Sequence, residues 1–333
     1  MDSADRDRPE SFAQCSKLDR RETAVSLDQG RARRERVVGR CEGPPAIVAS
    51  SDGAALRPDR AADSRFPETT TLNAPDEPRS PEAGLFEGNL LLEALDTGDR
   101  ALLAPYLERG QRTRGTVLFR AGEDVSHVTF PLSQTTVTLV SRMRDGRMVE
   151  TATVGHEGAI GGVVSHGYLP AFSEAIVQVS GGVLRLDAER LTRARAASPT
   201  LRDLFVRYAD CLLAQVLQSV ACNAVHPIEE RCLRWLLTFQ DRLGTPVLPV
   251  TQEMLAEMLG VRRTYLTGVI GALQRRGLIS VRRGQITILD RAAAEHSACE
   301  CYGKVRHHFR SVLGAVYSET GGIVAVDPTQ RHE

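Results

Sequence analysis

Residues 250–280, VTQEMLAEMLGVRRTYLTGVIGALQRRGLIS, leave the chain few ways to fold. Thr251 is placed to cap a helix that starts at Gln252, its hydroxyl accepting from an orphan backbone N–H. Met254 stands where a capping box would need a glutamate, so the box is absent. Ala256 is small where two helices must cross closely. Gly260, four residues on, supplies a positive φ at no steric cost and lets the chain turn. Leu255, Leu259, Leu266, Val269, Ile270 and Leu273 then converge on one shared core. The pattern predicts a helix-turn-helix. Leu278 to Leu289 follows as a strand, an Arg-Gly turn and a returning strand, which adds a hairpin wing.

The second helix opens with Arg262-Arg263, and the position explains the charge. A helix N-terminus carries partial positive charge, and in such an elbow it points into the major groove of duplex DNA. An arginine there can donate two hydrogen bonds to guanine O6 and N7. Between Val250 and Arg291 there are seven arginines against three acids (Glu253, Glu257, Asp290). The formal net charge of +0 for the whole chain conceals this local excess. Arg275, Arg276, Arg282 and Arg283 are candidates for neutralising phosphates, which makes affinity sensitive to salt. Double-stranded DNA is therefore the expected partner.

The 333 residues, 42% of them hydrophobic, are enough for two domains. Residues 1–84 are rich in Arg, Asp, Glu, Ser and Pro and lack a sustained apolar period, so a disordered extension is expected. From 85 to 195, short β-branched runs separated by turns predict a small antiparallel barrel or sandwich. These runs are Thr116–Phe119, Val128–Phe130, Val137–Val140, Val149–Val154 and Ala175–Leu186. Asp145-Gly146 reads as a two-residue hairpin turn. Residues 196–225 predict a long helix in which Leu201, Phe205, Tyr208, Leu212, Gln215, Ser219 and Cys222 share a stripe. A helix packed on its own barrel would place them inward; the reading preferred here is a dimer seam. Residues 226–291 form the winged unit, and 292–333 a C-terminal helix and tail. No apolar run is long enough to span a bilayer, and no secretory leader is evident. Seven scattered cysteines do not suggest a disulfide framework. A cytoplasmic protein is expected.

Residues 85–291 resemble the Crp/Fnr family of bacterial transcription regulators. The most specific likeness is Leu255-Ala256-Glu257-Met258-Leu259-Gly260-Val261-Arg262-Arg263, followed by Leu273–Ile279 and by Gly284–Arg291, which ends Ile-Leu-Asp-Arg. The resemblance implies an α+β fold: an antiparallel β-roll of the cyclic-nucleotide-binding type (a jelly roll), a long dimerisation helix and a C-terminal winged helix-turn-helix. It also implies a homodimer on a two-fold promoter operator, with RNA polymerase as a further partner. The candidate DNA-contacting residues are Thr251, Gln252, Arg262, Arg263, Thr264, Tyr265, Thr267, Gly268, Arg282 and Arg283. Arg263 matches the family's guanine-reading arginine. Thr264 and Gly268 replace a glutamate and a second arginine, and Arg262 replaces the usual serine cap. The family's usual half-site is therefore not expected.

In cAMP-binding relatives a Gly-Glu pair holds the ribose and an arginine neutralises the cyclic phosphate. Here the cassette is Gly155–Val164, with Glu157, Gly158, Gly161 and Gly162 as candidate ligand residues. Gly162 stands where the glutamate is expected, and no Arg or Lys occurs between Arg147 and Arg185. A phosphate without a charged partner would be costly to bury, so cAMP is not expected. Cys15 and Cys41 are too few for an iron–sulfur cluster, and haem ligation by His127, His156 or His166 is not expected either. In the tail, His296 and Cys299 share a predicted helix face. Residues two apart on a helix diverge, however, so Cys299 and Cys301 are expected to be packing residues rather than metal ligands. No nucleophile–base pair or phosphate loop suggests an enzyme. The rival readings are a protein-contact module or a constitutive, ligand-free DNA binder.

Overall fold

The computed structural model describes residues 84–163 and 169–329. Residues 1–83 of the expected disordered extension, with Cys15 and Cys41, lie outside them, as does His166. Two short helices lead in, α1 (Leu90–Glu93) and α2 (Thr97–Leu103). Each is capped by a side chain of the preceding residue: Asn89 accepts from the Leu92 amide and Asp96 from that of Asp99.

The strands β1 (Glu108–Arg112), β2 (Val117–Phe119), β3 (His127–Pro131), β4 (Thr136–Arg142), β5 (Met148–Val154), β6 (Glu174–Val179) and β7 (Gly181–Asp187) follow. They form two antiparallel sheets, ordered β1-β7-β3 and β2-β6-β4-β5. Their facing sides enclose Val128, Phe130, Val137, Ala152, Val177 and Leu184, all almost fully buried. The run expected over Ala175–Leu186 is two strands, broken between Val179 and Gly181. Asp145-Gly146 does turn the chain, but in a longer loop. β4 ends at Arg142 and β5 starts at Met148, and the Asp145 carboxylate accepts from the Arg147 amide.

Asp187 caps α3 (Ala188–Ala197), and Ser198 caps α4 (Pro199–Val225), whose first residue is a proline that lacks only an orphan N–H. α4 stops at His226-Pro227, because a proline ring disfavours the helical conformation in the residue before it. α5 (Ile228–Leu243) ends on Gly244 in the left-handed region. The winged unit comprises β8 (Val247–Leu248), α6 (Gln252–Met258), α7 (Arg263–Arg275), β9 (Ile279–Arg282) and β10 (Gln285–Ile288), with sheet order β8-β10-β9. The tail is not one helix. Asp290 caps α8 (Arg291–Ser297), the chain breaks over residues 298–300, and α9 (Cys301–His308) follows. A hairpin of β11 (Ala315–Tyr317) and β12 (Ile323–Val326), unforeseen in the sequence, closes the tail and adds Ala315, Ile323 and Val326 to the core of the roll. The fold is thus the expected one: antiparallel sheets, a long helix and a C-terminal winged helix-turn-helix. Among the described residues no helix is long and apolar enough to cross a membrane.

Candidate nucleic-acid interface

The elbow forms as its residues require. The Thr251 hydroxyl accepts from the Met254 amide at 3.1 Å, and Gly260 turns the chain at φ +68°. Leu255, Ala256, Leu259, Leu266, Val269, Ile270 and Leu273 are all buried in one cluster. α7 turns the opposite face outward: Arg262, Arg263, Thr264, Tyr265, Thr267 and Gly268 are exposed. Arg262 is the N-cap of α7 and makes no side-chain cap bond, so the amides of the first turn remain available to an anion. The wing turn is Arg283-Gly284, with both residues at positive φ (+40° and +80°), the geometry of a tight primed turn. Arg282 and Arg283 are exposed at its tip.

These pieces converge. Gln252 at the start of α6 lies 3.4 Å from the Thr267 hydroxyl on α7, and Gly284 of the wing stands beside the Thr251 methyl. Thr251 and Gln252 are themselves half-buried. Among the described residues no hydrogen bond or ion pair engages the side chains of Arg262, Arg263, Arg282 or Arg283. Two other arginines of the local excess are committed internally. Arg276 donates to Ser297 Oγ at 2.6 Å, and Arg291 ties Asp241 (2.6 Å), Gln240 (2.7 Å) and Glu295 (2.8 Å) together. Arg291, the last residue of the Ile-Leu-Asp-Arg run, is therefore a clamp between α8 and α5.

The rear of the elbow rests on the roll. Met254 and Met258 of α6 lie beside Met148 and Ile176 of the roll, and Gln178 donates to the Met258 sulfur. Deeper in, an ion pair that sequence reasoning missed joins the units: Arg242 Nε of α5 stands 2.8 Å from Glu157 Oε1 of the cassette, both nearly fully buried. Arg242 also donates to Gln215 Oε1 (2.7 Å), while Gln215 donates to the Thr153 carbonyl. Desolvation opposes the charge on Arg242, but Glu157 and its neighbours outweigh it and hold the pKa above the ordinary guanidinium value. The signal for this pair was present in the sequence, since Arg242 continues the apolar Trp235–Phe239 stripe at helical spacing.

A second link joins the Trp235 indole to Glu150 Oε2 of β5 at 2.6 Å. Burial raises the Glu150 pKa, against the hydrogen bond from Trp235. The folded state thus holds this proton more tightly than the unfolded chain, and stability falls as pH rises from the ordinary carboxylate range through the raised value. Glu150→Gln keeps an acceptor for the indole without the charge. Thermal melts should show the variant more stable at neutral pH, with the difference vanishing in acid; a constant difference across pH would refute the assignment.

The expected dimer seam faces inward. Leu201, Phe205, Tyr208, Leu212, Gln215, Ser219 and Cys222 are all buried within the single chain. Phe205 meets Phe130 edge to face at 6.3 Å, and the Tyr208 hydroxyl donates to the Ala159 carbonyl at 2.9 Å. The chain's own roll covers Leu201, Phe205, Tyr208 and Leu212, each buried aromatic or leucine contributing about 1.5–3 kcal/mol, while α5 and the tail cover Gln215 and Cys222. Val206, Leu213, Leu217 and Val220, spaced by seven, four and three, remain more than half exposed.

The candidate ligand residues are likewise committed to packing. Glu157 is spent on Arg242 and on the Gly155 amide, and a Cβ on Gly158 would lie 2.2 Å from the Tyr208 hydroxyl. Gly161 and Gly162 both take positive φ, and a Cβ on Gly161 would meet the His127 carbonyl. None of the four lines the nearby cleft of about 380 Å³ bounded by Phe119, Asp124, His127, Thr129 and Arg185. His127 Nδ1 pairs with Ser126 Oγ, and His156 Nε2 with the Ile323 carbonyl.

A β-roll, a long helix and a winged helix-turn-helix with an outward, arginine-bearing second helix define the class of protein. Comparison with known families places residues 230–295 in the Crp-like helix-turn-helix domain family. Among solved structures, the fold is similar to that of a protein from Eubacterium rectale described as a putative transcriptional regulator of the Crp/Fnr family. That likeness has 18% identity, covers 62% of this chain and 96% of the other, and has a TM-score of 0.50. A CRP-family transcriptional regulator from Thermus thermophilus matches at 21% identity over 57% of this chain and 96% of its own, with a TM-score of 0.48. No curated protein matches the sequence. The helix-turn-helix domain is thus Crp-like, and the fold as a whole is similar to that of a Crp/Fnr regulator.

Proposed function

We propose that this protein is a homodimeric transcription regulator that reads a two-fold DNA operator through α7, with Arg263 on guanine. The observation that carries this reading is the uncommitted guanidinium pair Arg262-Arg263 on the exposed N-terminal turn of a rigid elbow. Thr264, Tyr265, Thr267 and Gly268 complete the base-facing surface, the Tyr265 ring suited to a thymine methyl. Thr251, Gln252, Arg282 and Arg283 flank it and hold phosphates. RNA polymerase is the further partner that the family implies. The sensor works without cAMP in the familiar pose, because Gly162 stands in the place of the ribose-binding glutamate and Glu157 is already paired with Arg242. Genome-wide mapping of bound sites tests the reading: a palindromic motif with a shared guanine in each half supports it, and an asymmetric or absent motif overturns it.

Dimerisation is assigned to the exposed stripe Val206, Leu213, Leu217 and Val220, whose spacing is that of a coiled-coil seam. Leu213→Glu with Leu217→Glu should yield a folded monomer in sedimentation and lose operator affinity. Tyr208→Ala, from the inward stripe, should instead destabilise the roll without selectively dissociating the dimer.

A further inference from the structure

At the joint between α4 and the winged unit, four potential ligands meet. Cys222 lies one turn before the end of α4, and His226 is its C-cap. Cys299 sits in the break after α8, and Cys301 opens α9. The three sulfurs and one ring nitrogen of His226 all lie within 4.8 Å of one another. Cys222 Sγ is 3.5 Å from Cys299 Sγ, and Cys301 Sγ is 3.5 Å from His226 Nδ1. A tetrahedral zinc ion with Zn–S near 2.3 Å spaces its sulfur ligands about 3.8 Å apart. A disulfide would need sulfurs at about 2.05 Å. An iron–sulfur cluster, with its own core of iron and sulfide, would hold the thiolates farther apart than one ion does.

The surroundings are those of a metal centre. The three cysteines are buried and form a cluster of their own, apart from both apolar cores. His226 Nε2 lies 3.1 Å from Glu300 Oε2, which orients the ring and leaves Nδ1 facing the sulfurs, as a carboxylate does behind a ligating histidine. Gln218, one turn ahead of Cys222, donates to Cys301 Sγ at 3.0 Å. Cys299 and Cys301 would diverge only on a continuous helix. Because the helix breaks at 298–300, Cys299 stands in a loop and can converge with Cys301, and His226 takes the place that His296 was considered for.

We propose that Cys222, His226, Cys299 and Cys301 bind one zinc-class divalent ion in a four-coordinate, mononuclear site that pins the end of α4 to the α8–α9 junction. The ion holds the joint through which the roll and the winged unit are connected.

The test is elemental analysis of the full-length protein purified under reducing conditions, with Co²⁺ titrated into metal-free protein. One zinc per chain, and a cobalt spectrum with thiolate charge transfer and tetrahedral ligand-field bands, are expected. Cys222→Ser with Cys299→Ser should abolish both, whereas Cys211→Ser with Cys232→Ser, buried cysteines elsewhere, should keep them. Glu300→Gln, an exposed second partner that should not disturb folding, should keep the stoichiometry and weaken affinity by about 10- to 100-fold. Absence of bound metal together with a featureless cobalt titration of the wild-type protein would overturn the site. So would iron with acid-labile sulfide, or metal binding unaffected by loss of Cys222 and Cys299.

Discussion

Arg242→Ala should destabilise the folded chain by about 3–5 kcal/mol, a large share of the stability of an ordinary domain. The cost arises because Glu157, only 1% exposed at its side chain, would be left charged and unpaired in the interior. Gln215 would lose its donor at the same time. Equilibrium denaturation measures the loss. Replacing both partners, with Arg242→Met and Glu157→Gln, should recover most of it, since no buried charge is then stranded. A single variant as stable as wild type would mean that the pair does not form. A loss undiminished in the double variant would mean that the packing of the arginine stem matters more than its charge.

Arg263→Ala should remove base discrimination worth about 1–3 kcal/mol at its guanine in each half-site. For a dimer on two half-sites this is about 2–6 kcal/mol, a fall in specificity of roughly 30-fold to more than 10,000-fold. Binding to non-specific DNA should change far less. Arg282→Ala or Arg283→Ala should act differently, weakening all sequences alike and lowering the salt slope by about one each. Competition binding against operator variants at several salt concentrations separates the two behaviours. If Arg263→Ala keeps full selectivity, α7 does not read the operator through this residue.

The elbow and wing were legible because their signals are local. A cap at Thr251, a positive φ at Gly260, apolar residues at helical spacing on either side of that glycine and an Arg-Gly turn each depend on a few adjacent positions. The strands of the roll were legible for the same reason, with β1 the exception. Glu108–Arg112 is polar throughout and pairs at an edge of its sheet, so it leaves no alternating pattern to read. β11 and β12, of three and four residues, are too short to set up an alternation that stands out beside the longer helical signal before them.

What the chain order alone determined, then, was the kind of element at each place and the residues each helix turns to one side. Tertiary structure decided what each side meets. The stripe of α4 that reads as a seam is covered by the roll, α5 and the tail, because a helix shows apolar periodicity toward any partner alike, its own chain or a second copy. Glu157 and Arg242, or Cys222 and Cys299, lie tens of residues apart, and only packing brings them within bonding distance. Short-range propensity is written residue by residue, whereas the pairing of buried charges and thiols is set by which surfaces exclude water together.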